Sequence, residues 1–197
     1  MAVTARGNAA KRDAIVRAAT TLFSRYGFRK TTVDLIAHEA EVAKPTLYAH
    51  FADKEAIFVA VCQHVVDGIL SAAAAERDQR DVLDRITGIV SAKFTTIFEL
   101  VDSSPHAREL LDSQDAQARE VVAKADAAFV KLLTDALRAA MRHGELSPDR
   151  VGHSPAKLAQ LVMQAGHGAG YGAKSSADHR ENLRALIAGL LGHPDAR

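Results

Sequence analysis

A chain of 197 residues with 48% apolar and 25% charged side chains, few glycines and prolines and a net charge of +1 is composed like a globular protein and unlike a fibrous or disordered one. Its one cysteine, Cys62, excludes an intrachain disulfide; no signal-peptide core and no bilayer-spanning apolar window are read in it, so a cytoplasmic chain without membrane contact is expected. The near-neutral total conceals an asymmetry, because residues 1–55 hold nine Lys or Arg against six Asp or Glu, with Arg6, Lys11 and Arg12 at the very start, and such a basic front suits a polyanion.

Apolar residues recur at intervals of three and four along nearly the whole chain, with no sustained alternation, which predicts an all-α fold. Ile15, Ala18, Ala19, Leu22, Phe23 and Tyr26 stripe a first helix that stops at Gly27. Thr31 or Thr32 then caps a short second helix with Val33, Ile36, Ala37 and Ala40 inward, and it ends before Lys44, which precedes a proline. Pro45 suits the first position of a third helix, and Asp53 caps a long fourth one reaching about Ala75. Beyond it come helices near 80–102, a short one opened by Ser104-Pro105, one near 115–143 ending at Gly144, one from Ser154-Pro155 to about Ala173, and a last one ending at Gly192.

Two short helices joined by a few residues, with the small Ala37 where they cross, make a helix-turn-helix whose second helix can enter a DNA major groove. Val42 and Leu47 hold the pair together and leave Lys44, Pro45, Thr46, Tyr48 and His50 to project outward.

These residues resemble a known family. The segment IAHEAEVAKPTLYAHFADKEAIF is similar to the helix-turn-helix of the tetracycline-repressor (TetR) family at Ile36, Ala37, Ala40, Val42, Thr46, Leu47, Tyr48, His50, Phe51, Lys54 and Glu55. The resemblance implies three N-terminal DNA-binding helices, here residues 1–55, followed by a larger helical domain for ligand binding and dimerisation, residues 56–197. It further implies that Thr32 caps the second helix near a phosphate and that Tyr48, His50 and Lys54 meet backbone phosphates. Lys44, Pro45 and Thr46 would then read bases, a lysine donating to guanine O6 or N7 and apolar groups touching thymine methyls. The chain departs from the family pattern at Glu41, where glycine is usual in the turn, and at Ala43, where serine usually caps the third helix.

For the larger domain the resemblance implies a ligand pocket, with Phe94, Phe98, Phe129, Met163, His167 and Tyr171 as candidate lining, and a homodimer built on the last two helices. The glycine run at 166–172 follows no strand and is not a phosphate loop; close packing, a helix break or pocket room would each justify it. Nine histidines show no helical metal spacing, Cys62 reads as core, and no nucleophile elbow, HExxH or Walker loop is present, so neither metal, cofactor nor catalysis is expected. The expected function is a DNA-binding transcriptional regulator, a repressor released from a palindromic operator by a small-molecule effector. The rival is a helical small-molecule-binding or partner-binding protein without specific DNA recognition.

Overall fold

The computed structural model describes residues 2–103 and 116–193, with side chains for 7–99 and 116–193. The predicted short helix at Ser104-Pro105 lies outside the described residues. Nine helices are described: α1 (Ala2–Tyr26), α2 (Val33–Glu39), α3 (Lys44–His50), α4 (Lys54–Ala75), α5 (Val82–Ser103), α6 (Ala116–Arg142), α7 (Pro148–Val151), α8 (Pro155–Ala169) and α9 (Ser176–Leu191). Among the described residues there is no strand, so the chain is all-α as predicted.

The chain divides into two compact units, Met1–Asp67 with Leu100–Ala123, and Gly68–Glu99 with Lys124–Arg197. In the first, Ile15, Phe23, Ile36, Leu47, Ile57 and Val61 are fully buried and draw α1 to α4 around one core, which Ala118 joins from α6. Side chains of this size each contribute about 1.5–3 kcal/mol on burial, which is what keeps two seven-residue helices folded. In the second unit the core is built on Leu83, Ile86, Ile89, Phe129, Leu133, Leu158 and Leu183, from α5, α6, α8 and α9.

The stops are chemical. The C-terminal ends of α2, α6 and α9 share one geometry, in which a residue at or just after the cap turns left-handed and the next backbone N–H returns to a carbonyl five residues back: Val42 to Ala37 at 3.0 Å, Glu145 to Ala140 at 2.9 Å and His193 to Ala188 at 2.9 Å. The left-handed residue is glycine after α6 and α9, Gly144 and Gly192, but after α2 it is Glu41, at φ 53°. A side chain in that region costs about 1–2 kcal/mol relative to glycine. Allowing for glycine's greater freedom when unfolded, Glu41→Gly is expected to stabilise the protein by up to about 1 kcal/mol. Urea unfolding checks this, and a lower midpoint for the variant would show that the Glu41 side chain compensates for its own strain.

The structure corrects several expectations. Pro45 occupies the second position of α3, because the helix already begins at Lys44 with Ala43 as a cap lacking any side-chain acceptor. Tyr26 is 40% exposed, off the core stripe of α1. Helix α8 ends at Ala169, short of Ala173, since Gly170 closes it and Gly172 turns left-handed at φ 80°. The 3-10 turn Glu76–Asp78 and the single turn α7, with Ser147-Pro148 before it and Gly152 after it, were too short to show as periodicity. Contrary to the expectation of no such window, Lys54–Asp78 is long and apolar enough to cross a membrane by length and composition alone. Asp67 is the single Asp, Glu, Lys or Arg between Glu55 and Glu76, and buried core helices pass the same test; here Ile57, Phe58 and Val61 are core of the first unit and Ala73 of the second.

Candidate nucleic-acid interface and ligand region

The connection from α1 to α2 is held from beneath by polar and aromatic contacts together. Phe23, Phe28 and Phe58 meet ring to ring at 5.3, 5.9 and 5.0 Å between centroids. Thr31, fully buried, donates its hydroxyl to the Gly27 carbonyl at 2.9 Å. Of the two candidate caps it is Thr32 that serves α2, its Oγ1 accepting from the Leu35 N–H at 3.2 Å, and its side chain is exposed at that helix's start. Asp53 caps α4, accepting from the Ala56 N–H at 2.7 Å.

Against this base α3 presents a divided surface. Leu47 is fully buried and Phe51 nearly so, with Arg12 stacked 5.2 Å over the Phe51 ring, whereas Lys44, Pro45 and Tyr48 are exposed and Thr46 and His50 half-exposed. The five candidates on α3 are therefore all open to solvent at least in part. The Lys44 ammonium bonds the Asp34 carboxylate of α2 at 2.7 Å, and this hydrogen bond raises the lysine pKa above its ordinary value. Both side chains are open to water, so solvent screening leaves the contact little weight in stability.

Lys54 departs from its expected place. Its ammonium donates to the Phe28 carbonyl at 2.9 Å and the Thr31 carbonyl at 3.1 Å and lies 4.3 Å from the Phe28 ring centre, so it is turned toward the α1–α2 connection. In exchange, Arg29 and Lys30, which the motif did not single out, are exposed in that connection just ahead of Thr31 and the cap Thr32. Their signal in sequence was charge beside a helix start, where backbone N–H groups also favour an anion.

In the second unit the candidate lining separates. Phe94 packs edge-on against His167 at 5.2 Å and lies tilted against His179 at 4.7 Å, and Phe98 lies 5.6 Å from His179. The rings are held by two backbone contacts: His179 Nε2–H donates to the Gly166 carbonyl at 2.8 Å and His167 Nδ1–H to the Met163 carbonyl at 2.9 Å. Met163 is buried beside this cluster, Phe129 is buried beneath the Lys93–Asp126 ion pair, and Tyr171, 95% exposed, stands apart in the turn after α8. Sequence reading missed His179, which is 99% hidden, because a lone histidine in an amphipathic helix carries no motif. It also missed Thr87 and Ser91, buried and without a hydrogen-bond partner among the described residues, on the α5 stripe that carries Phe94 and Phe98.

A buried-backed short helix that offers basic and hydroxyl tips to solvent, set after another short helix by a tight left-handed turn, has the arrangement of a helix-turn-helix. Residues 15–61 match the model of the tetR family of bacterial regulatory proteins. It is 32% identical over 136 residues, 66% of its length, to the HTH-type transcriptional activator FasR of Mycolicibacterium smegmatis, and 38% identical over 73 residues, 37% of its length, to the HTH-type transcriptional regulator RutR of Escherichia coli. It spans 58% of the first relative's length and 34% of the second's. The fold is also that of a TetR-family regulator structure from Rhodococcus sp., with a TM-score of 0.69 and 24% identity over 93% of this chain and 99% of that one.

Proposed function

We propose that the protein regulates transcription by binding a palindromic DNA operator as a homodimer, acts by binding rather than catalysis, works in the cytoplasm, and leaves its operator when a small molecule binds the second unit. The observation that carries this reading is the α3 surface, where Lys44, Pro45, Thr46, Tyr48 and His50 are all exposed or half-exposed while Leu47 anchors the helix to the core. In it, Thr32, Tyr48, His50, Arg29 and Lys30 meet phosphates and set the docking angle, and Lys44, Pro45 and Thr46 read base edges. Lys54 contributes to DNA binding chiefly by fixing the α1–α2 connection.

One helix-turn-helix makes too few contacts for a unique site, so two copies at a spacing of about 34–36 Å are required. The half-exposed Leu186 on α9 supports a dimer face on the last two helices. Helices α4, α5 and α6 each contribute residues to both units, which gives effector binding a covalent route to the DNA-binding helices. The buried hydroxyls of Thr87 and Ser91, without partners among the described residues, and the rings of Phe94 and Phe98 on the same stripe give an effector polar and apolar points of attachment along α5. Release follows only to the extent that the effector prefers the state in which the recognition helices no longer fit successive grooves.

Selection of bound duplexes from a random pool tests the reading, and a recovered inverted repeat is the expected outcome; a pool without enrichment favours the partner-binding rival. On the recovered site, Tyr48→Phe is expected to weaken all sequences alike, while Lys44→Ala relaxes preference at one base pair per half-site by about 1–3 kcal/mol. Equal losses on every sequence for Lys44→Ala would remove it from base reading.

A further inference from the structure

In the second unit, the 3-10 turn after α4, the start of α5 and the end of α6 enclose a groove of about 370 Å³, lined by none of the residues expected to hold a ligand. Its walls carry Arg77, Arg85, Arg142 and His143 against two carboxylates, Asp135 and Glu145. Both carboxylates are engaged. Asp135 accepts from Lys131 at 2.7 Å and Arg138 at 2.8 Å, while Glu145 pairs with Arg85 and has His143 Nδ1 3.8 Å away. Arg85 is further tied to the Gln79 carbonyl at 3.0 Å. Arg77 and Arg142, both exposed, have no ion-pair partner among the described residues. The floor between them is Ala136 and Ala139, small enough to leave the space open.

We propose that this groove binds the oxyanion of a small molecule, a carboxylate or a phosphoryl group, gripped by Arg77 and Arg142. A guanidinium presents parallel N–H donors that match either group in pairs, and two such cations over a short apolar floor fit a ligand with one charged end better than a neutral one. Arg85, fixed by Glu145 and Gln79, supplies positive potential without needing to move. The inference is independent of the DNA-binding reading.

Titration calorimetry of the full chain with inorganic phosphate, pyrophosphate and citrate tests it, pyrophosphate and citrate separating a phosphoryl from a carboxylate preference. Saturable binding of one ion per chain is expected with at least one probe, weakened about tenfold or more by Arg77→Gln with Arg142→Gln and unchanged by Arg29→Gln with Lys30→Gln. Each single arginine variant is expected to give a partial loss, and an unchanged melting curve shows that the double variant is folded. Absence of saturable binding with all three probes overturns the proposal. So does binding that survives the arginine pair or disappears with Arg29 and Lys30, which would place the anion on the DNA-facing surface.

Discussion

Lys54→Met is expected to lower stability by about 3 kcal/mol, measured as a reduced urea midpoint. The substitution keeps a long apolar stem but removes the ammonium that donates to the Phe28 and Thr31 carbonyls and lies over the Phe28 ring. A hydrogen bond from a charged donor is worth about 1.5–3 kcal/mol, and carbonyls stripped of their donor in a partly buried site add a desolvation cost. The loss should fall on the α1–α2 connection first, so hydrogen exchange at Thr31 and Thr32 should rise before exchange in the α4 core. DNA affinity then drops because Thr32, Arg29 and Lys30 lose their fixed positions. A variant as stable as the parent, with affinity reduced equally on all sequences, would instead return Lys54 to direct phosphate contact.

The second large effect is expected at Gly166. A Cβ there would come 2.4 Å from Phe94 Cε2 and 3.0 Å from Val90 Cγ1, distances at which the ring must move. Phe94 has little room to do so, being packed against His167 and His179, and the Gly166 carbonyl itself accepts from His179. Overpacking of this kind costs about 1–3 kcal/mol, so Gly166→Ala should unfold at clearly lower denaturant. Gly168, two residues on, is the control: nothing lies within 4 Å of its added Cβ, and alanine in a helix gains up to about 1 kcal/mol over glycine. Equal stability of the two variants would mean that α5 and α8 separate without cost.

These glycines show where the sequence was legible and where it was not. Of the three reasons open for the run at 166–172, the structure uses two at different positions: close packing at Gly166, and a helix stop at Gly170 and Gly172. Composition could not divide them, because close approach depends on which side chain of another helix stands opposite. The α1–α4 pattern was readable because Ile36, Leu47, Thr32, Asp53 and Gly27 act over three or four residues, within reach of local rules for burial and capping. Glu41 was readable for the same reason, since the turn demands a left-handed residue whatever the side chain. Lys54 and His179 were not, because their partners lie 23 or 26 residues away for the first and 13 for the second. The arginine groove needed three separate segments to meet, and no spacing along the chain announces that.

The Asp34–Lys44 contact carries one more consequence. A carboxylate already in place beside the proposed base-reading lysine is a built-in competitor, present at constant local concentration, that any operator must displace. Added salt screens both the competitor and the phosphates, so the two responses oppose each other at that position. Discrimination at the base pair under Lys44 should therefore survive rising ionic strength better than overall affinity does, and the protein would grow relatively more selective as it binds more weakly.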